Sequence, residues 1–516
     1  MTAVLAPEAR PAAAPRRRGR LVEMLVRPRS ALLAAVLLAV GSVGFDALGD
    51  PDVWWHIRLG RWILDHGAIP NTELFSYTAH GNPLTAHEWL TDSLFTLLNG
   101  AGGLFLVALF VGFACWSGFV AIALRARQRG AGLVSIALGL ALGAKAAAPV
   151  LGARPQVLTF VLLCWTLWLV DSYLRNGGRR LWLLPAMFLL WANLHAGFIA
   201  GLVVLAIVIA AELTKHALRS ERAVPAGRIR ALAIATGAAA IAACINPAGP
   251  SLYRFALSVS TTEGKKAIVE WMSPNFHDPG MWALLALIGT FVVLAALGGR
   301  PDLRDALLAA AGIALALTAV RDTAICVALA LPAWIVMAAQ LGRRWSRNPR
   351  QPVRVGAMAV AAGGAIVLCG ATASAASISR MSAQATASGV AAAYPSCATR
   401  VLSTAPAPQR VFAAYGSAGY VINALAPAAS VYEYGESISL GFTVFDHYQR
   451  IAAAARTAPS ALSLLDSSQT TAVLYPRGEL TALLDSTPGW HRVLKDPSGA
   501  MLYVHGDSAW ASGAHC

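Results

Sequence analysis

The sequence predicts a polytopic α-helical membrane protein of about eleven spans, followed by a small extracytoplasmic α/β domain. Three observations carry that prediction. Of the 516 residues, 57% are hydrophobic and only 13% charged, against about a quarter charged in an ordinary soluble protein. Apolar runs suited to a hydrocarbon core about 30 Å thick recur from residue 30 to residue 375. Beyond residue 376 they give way to a tail richer in Ser, Thr and Pro, with short alternating stretches.

The charges set the topology. Net charge is +15, and 25 of the 41 Lys and Arg residues fall in six clusters. These are the N-terminal tail (Arg10 to Arg29), then 125–129, 175–180, 215–230, 300–304 and 343–354. Placing all six in the cytoplasm satisfies the positive-inside rule. The basic excess therefore reads as topology and not as a nucleic-acid footprint. No A-x-A-type cleavage site follows the first apolar run, so 31–48 reads as a retained helix.

The spans run at 31–48, 103–124, 131–151, 156–174, 181–195, 197–212, 229–246, 281–298, 306–320, 323–341 and 355–375. Read as one helix, 181–211 would be about 46 Å long and would place the basic 215–230 loop outside. Two short passes turning at "NLHAG" (193–197) avoid both problems. The expected organisation is a basic cytoplasmic tail (1–30), a transmembrane domain (31–375) with an outer loop at 49–93, and an outer domain (376–516). In that last domain "RVFAA" (410–414), "SVYEY" (430–434), "TAVLY" (471–475) and "MLYVH" (501–505) read as strands, with helices near 417–425 and 445–455. Five of the seven Cys lie in spans. Cys397 and Cys516 lie in the exported domain, where either a disulfide or two thiols is admissible.

The outer loop opens with "GDPDVWWHIRLG" (49–60), which sets Asp50, Asp52 and His56 at the membrane exit beside paired tryptophans. Helical spacing puts Trp55, Leu59, Trp62 and Ile63 on one face. That predicts an interfacial helix over 53–64 with its tryptophans at headgroup level or against the bundle. Asp50 and Asp52 at its start also suit a helix N-terminus. Other ionisable residues fall at the same depth: His87, Glu88 and Asp92 in "AHEWLTD", Lys145 late in its span, Arg154 in "GARPQ" and His195 in "NLHAG". Lys265, Lys266 and Glu270 follow in the 247–280 loop, and Arg321 in the last outer turn. Singly, each has an ordinary structural explanation. Their recurrence at one depth suggests a site, because ionisable groups at membrane depth are costly and usually face a cavity.

Sugar transfer from a polyprenyl-phosphate donor would use such a set. A carboxylate must accept the proton of the attacking hydroxyl, and cations must hold the departing phosphate. Asp50 or Asp52 is the candidate base, with Asp52 favoured because it lies one turn from His56. Lys145, Arg154, Lys265 and Lys266 are the candidate phosphate ligands. The residue types at Asp52, His56 and Glu88 also admit a divalent cation.

These residues resemble the GT-C superfamily of membrane glycosyltransferases, whose functional Asp lies in the first outer loop, here Asp50 or Asp52. "DPDVWWHIRLGRWILDHGAIPNTELFSYTAHGNPLTAHEWL" and "LWANLHAGFIAGL" are similar to a broad group of bacterial multi-pass proteins, and "ARPQ", "NPAG", "VEWMSP" and "GSAGYVIN" follow in the same order. Two positions depart from that group's pattern. Ala196 precedes Gly197 where a Gly pair is common, and Tyr434-Gly435-Glu436 stands where Asp-Gly-Arg is common. The resemblance implies a polyprenyl-phosphate-linked sugar as donor and an envelope glycan, lipid or protein as acceptor, at the outer face of a bacterial plasma membrane. The other readings are a transporter or flippase of lipid-linked saccharide and a non-catalytic envelope assembly protein. Mid-bilayer ionisable residues, which would favour a transporter, are not evident, and no GxxxxGK[ST] motif is present.

This topology has a direct test. A reporter fused after residue 380 is expected to report export, and one inserted within 215–230 the cytoplasm. The same side for both refutes the paired short passes.

Overall fold

Each of the eleven apolar runs contains a helix among its described residues, as expected of backbone that must satisfy its own hydrogen bonds in lipid. The structure, a computed structural model, describes residues 28–41, 50–261, 268–345, 357–506, 508–511 and 513–516. Lys265 and Lys266 lie outside the described residues. The helices in order are α1 (Pro28–Gly41), α2 (Val53–His66), α3 (Trp89–Gln128), α4 (Leu133–Ala147), α5 (Gln156–Asn176), α6 (Leu184–Leu194), α7 (Phe198–Ala217) and α8 (Ala226–Ala242). After them come α9 (Ser251–Thr261), α10 (Trp282–Ala296), α11 (Leu303–Thr318), α12 (Thr323–Trp345) and α13 (Ala357–Gln384). Among the described residues, six helical segments are long and apolar enough to cross a membrane. The 181–212 region is two helices, broken where His195 adopts an extended conformation (φ −169°, ψ 141°).

Helix α3 starts well before the apolar run that predicted it. It bends at Gly102 and Gly103, whose dihedrals leave the helical region, and Gly103 has φ +65°, a conformation suited to glycine. The segment before the bend carries buried Thr91, Asp92 and Ser93 and belongs to the site described below.

At one end of the bundle the basic clusters turn inward. Arg125 reaches Asp171 (2.8 Å) and Asp305 (2.9 Å), and Arg129 pairs with the same two carboxylates. Arg304 bridges Asp171 (3.0 Å) and Glu212 (3.2 Å), while Lys215 joins Glu212 (2.7 Å) to Asp302 (3.0 Å). Arg125, Asp171, Glu212 and Asp305 are buried. Three clusters that read as topology signals thus share a balanced ion network that joins α3, α5, α7 and α11. Burial of charge is tolerable only where every charge is paired in this way.

The C-terminal region is α/β. A five-stranded sheet runs in the order β2-β1-β3-β5-β4, with strands β1 (Gln409–Ala413), β2 (Ala429–Val431), β3 (Ala472–Pro476), β4 (Trp490–Lys495) and β5 (Ala500–His505). Strand β1 pairs in parallel with β2 and β3, and β5 pairs antiparallel with β3 and β4. Four strands coincide with the four alternating stretches. The sequence reading missed β4, whose pattern at "WHRVLK" is half polar. Cys397 and Cys516 form a disulfide that ties the C-terminal residues to this region.

The loop that follows α2 is built into the sheet. Ser76 bridges Val431 in parallel register, and Val431 and Tyr77 exchange backbone bonds with Phe75 and Val431. Buried Glu73 accepts from Phe75 N, Ser76 N and Tyr434 Oη (2.7, 2.8 and 2.8 Å). The segment therefore caps the exposed edge of β2. Helix α2 forms where expected, but its tryptophans are not lipid anchors. Trp54 and Ile57 sit in the bundle core, while Trp55, Leu59 and Ile63 sit in the core of the α/β region. Trp62 is partly buried against that second core and stacks on His66 (4.2 Å). The amphipathic face meets protein, which buries it more completely than headgroups would.

Helix α2 crosses α3 at Gly60, where an added Cβ would lie 2.0 Å from the Asp92 carbonyl oxygen and 2.4 Å from Thr96 Oγ1. Gly60→Ala is expected to destabilise the protein by about 1–3 kcal/mol through overpacking. A thermal melt in detergent checks this, and an unchanged midpoint would show that α2 is free to move.

Candidate functional site

Two neighbouring clusters of ionisable residues lie where α2 leaves the bundle, and they share the chain from Asp50 to His56. The first surrounds a cavity of about 670 Å³, within the range of small-molecule sites. Its centre is Arg154, on the turn between α4 and α5. Arg154 Nε lies 2.5 Å from Asp50 Oδ2 and 3.2 Å from Asp52 Oδ2, and Nη1 donates to Glu270 (2.5 Å). Arg321 stands behind Glu270 (3.7 Å), donates to Gln156 Oε1 (3.4 Å) and lies over the Trp271 ring (4.0 Å). Three carboxylates thus meet two guanidiniums at the wall of an open volume.

The two aspartates are not equivalent. Asp50 is engaged through both oxygens, since Oδ1 accepts from Asp52 N (3.1 Å) while Oδ2 meets Arg154. Burial, opposed by Arg154 and reinforced by the Asp52 charge, raises its pKa to about 6. Asp52 occupies the N-cap position of α2, yet its side chain makes no capping bond. The helix-cap explanation therefore does not account for it. Gly435, in the α/β region, passes so close that a Cβ there would lie 2.3 Å from Asp52 Oδ1. The Tyr434-Gly435-Glu436 stretch, which departs from the related pattern, thus packs directly on the favoured aspartate.

The second cluster is buried between α2, the start of α3, the α6–α7 turn and the α/β region. His56 Nδ1 donates to Asp92 Oδ1 (2.6 Å) and lies 3.8 Å from Glu88. Glu88 Oε1 also meets His87 Nε2 and His195 Nε2, each at 3.4 Å. The "NLHAG" turn is held in place by its neighbours. Asn193 accepts from Trp89 Nε1 (2.9 Å) and donates to the Ile245 carbonyl (2.8 Å), and His195 Nδ1 accepts from Gly197 N (2.9 Å) and Thr159 (2.7 Å). A Cβ on Gly197 would lie 2.2 Å from Thr159 Oγ1. Of the usual glycine pair, the one retained is the one the packing requires.

The sequence-predicted residues divide accordingly. Asp50, Asp52, Arg154, Glu270 and Arg321 come together at the cavity. His56, Glu88 and His195 come together behind it. Lys145 is exposed on α4 and does not line the cavity, and Lys265 and Lys266 fall outside the described residues. The metal set is also regrouped. The donor atoms within 4.8 Å of one another are those of His56, Glu88 and Asp92, while Asp52 is drawn to Arg154. Successive side chains one turn apart on α2 face two different clusters. One imidazole and two carboxylates, with Asp92 Oδ2 buried and lacking a hydrogen-bond partner, suit a divalent cation. Sequence reasoning missed Gln156, Trp271 and the α/β-region residues Tyr415, Phe445, Tyr448 and Gln449, which also line or border the cavity. Nothing in their local sequence marks them.

No family profile and no curated protein matches this sequence. Solved structures do match. Over 92% of this chain and 74% of the other, it is similar to the archaeal oligosaccharyltransferase AglB from Archaeoglobus fulgidus in complex with an inhibitory peptide and a dolichol-phosphate, at a TM-score of 0.55 and 11% identity. Over 97% of this chain and 100% of the other, it is similar to ArnT from Cupriavidus metallidurans bound to undecaprenyl phosphate, at a TM-score of 0.54 and 14% identity. This chain shares the fold of both.

The second cluster titrates. Burial opposes the imidazolium of His87, but Glu88, bonded to it, together with Glu436 and the Thr85 carbonyl, raises its pKa to about 9. Burial likewise opposes ionisation of Glu88, yet His87 and His56 hold it well below the usual carboxylate range. Glu436 is pushed up by burial, against His87, to about 7. Because the folded value of His87 exceeds 6.5, its contribution to stability is complete below pH 6.5 and is lost as pH rises through 9. The ionisation of Glu436 falls lower, between 4.5 and 7. The thermal midpoint is therefore expected to fall between pH 6.5 and 9.5 (roughly half a unit beyond the folded value), and His87→Gln to flatten that limb. An equally steep limb in the variant would remove His87 as its source.

Proposed function

We propose that this chain is a membrane glycosyltransferase that moves a sugar from a polyprenyl-phosphate donor to an extracytoplasmic envelope acceptor of a bacterial plasma membrane. The GT-C fold is the premise. The observation that carries the proposal is the Asp50–Arg154–Asp52 group, set on a cavity at the end of the bundle. Such an arrangement places a proton acceptor and a phosphate-sized cation side by side, as displacement at an anomeric carbon requires.

In the reaction the acceptor hydroxyl attacks the anomeric carbon and gives its proton to Asp52. The bond from that carbon to the phosphate oxygen breaks, and the electron pair leaves with the lipid phosphate. Asp52 is better suited to this than Asp50, because both Asp50 oxygens are engaged, one by Asp52 N and one by Arg154, whereas Arg154 holds only one oxygen of Asp52. Asp50 instead anchors the guanidinium and the turn before α2. Glu270 is the most exposed of the three carboxylates on Arg154, its side chain retaining 33% of its accessible surface. It is the partner an incoming phosphate displaces most easily, after which Arg154 and Arg321 carry the leaving group's charge. When bound, a divalent cation on His56, Glu88 and Asp92 would add positive charge beside Asp52. The acceptor is a glycan, lipid or protein of the envelope, reached from the outer side.

Purified protein assayed with a panel of polyprenyl-phosphate sugars tests the proposal. Asp52→Asn is expected to lower turnover by at least about 100-fold, the usual cost of removing a general base, while insertion and melting stay normal. Arg154→Ala should instead raise the KM for donor. Full activity in Asp50→Asn, Asp52→Asn and the double variant would sink the catalytic reading of this loop.

A further inference from the structure

The cavity is lined by three parts of the chain with three different chemistries. The bundle contributes apolar surface, from Ala148, Pro149, Val150 and Leu151 at the end of α4 and from Met281 and Val320 nearby. The turn before α2 and the α4–α5 turn contribute the charges of Asp50, Asp52 and Arg154. The α/β region contributes Tyr415, which opens its helix Tyr415–Leu425, and Phe445, Tyr448 and Gln449 from the helix Phe442–Ala452. Because α2 is packed between the bundle core and the core of the α/β region, the charges lie between the apolar wall and the aromatic one.

The aromatic wall is built and fixed in place. Phe445, Tyr448 and Gln449 share one helical face through i, i+3 and i+4 spacing. Tyr415 meets Phe445 and Tyr448 edge-on, with centroids 5.9 and 6.1 Å apart. Tyr448 Oη accepts from Tyr415 N (2.7 Å), and the Tyr415 hydroxyl lies 3.1 Å from Ser437 Oγ. Tyr415 is held at both ends, half-buried, beside Asp52.

We propose that the C-terminal α/β region binds the donor's sugar, with the Tyr415 ring as its stacking surface and Gln449 as a hydrogen-bonding contact. The proposal rests on the glycosyltransferase reading above. A polyprenyl-phosphate sugar is apolar, then anionic, then a ring with hydrocarbon faces and a hydroxyl rim, and the cavity offers complementary walls in that order. Aromatic rings that carry a polar handle match such a ring.

The test compares two probes on the full-length protein in detergent: undecaprenyl phosphate, and undecaprenyl-phosphoryl glucose, mannose and arabinose as a panel. Wild-type protein should bind at least one sugar-bearing lipid more tightly than the bare lipid. Tyr415→Ala should weaken that lipid by about 3- to 10-fold, the range for losing one well-placed aromatic contact, and leave undecaprenyl phosphate unchanged. Tyr415→Phe, which keeps the ring, should stay near wild type. Gln449→Ala, at an exposed position, should also weaken only the sugar-bearing lipid. Equal effects on both probes, no effect on either, or an effect on acceptor KM alone would overturn the assignment. Binding of neither probe by wild-type protein would instead overturn the glycosyltransferase reading on which it rests.

Discussion

Helix α2 must satisfy two hydrophobic cores at once, and the geometry of the site depends on that constraint. Trp54 and Ile57 are buried with the membrane helices, and Trp55, Leu59 and Ile63 are buried with the sheet. Close packing leaves such a helix no freedom to slide, and Gly60 against the α3 backbone sets its depth. Asp50 and Asp52 precede the helix directly, so their position follows from it. So does that of His56, which points into the buried cluster one turn later. The loop beyond α2 then completes the edge of β2, so that loop and the C-terminal region act as one unit.

The site shows how one cation organises several anions. Arg154 gathers Asp50 and Asp52 from the turn before α2 and Glu270 from a distant part of the chain. Three carboxylates this close would repel strongly in a partly dry cavity, and the guanidinium offsets that cost. The same charge then serves chemistry, because an arrangement that holds carboxylates without substrate can hold phosphate once substrate arrives. Behind it, Glu88 plays the converse part by gathering His56, His87 and His195. The two centres touch through four residues of chain, which places a possible divalent-ion set immediately behind the aspartate that faces the cavity.

The opposite end of the bundle obeys the same rule without a cavity. Arg125, Arg129, Arg304 and Lys215 are matched by Asp171, Glu212, Asp302 and Asp305. The directional ion pairs fix the register of α3, α5, α7 and α11, which apolar contacts alone would specify less sharply. With that register held, the far ends of α3 and α5 deliver Glu88, Asp92 and Arg154 to the end of the bundle that carries the cavity.

The membrane class, the helical runs, four of the five strands and the acidic first loop were all legible in the sequence. Hydrophobic length and period, and the cost of charge in lipid, are local properties that neighbours along the chain disclose. The sequence also picked out Asp50, Asp52, Arg154, Glu270 and Arg321 as residues of one depth, because depth follows from helix rise and span boundaries. It did not disclose partners. That Asp52 turns to Arg154 and His56 to Asp92, that Lys145 stands apart, and that the tryptophans of α2 face protein were decided by packing between segments distant in the chain. Tyr415 and Tyr448 enter the cavity wall for the same reason. An aromatic residue has the same sequence signature in a core and in a binding site, and only the tertiary fold leaves one of its faces against an open volume.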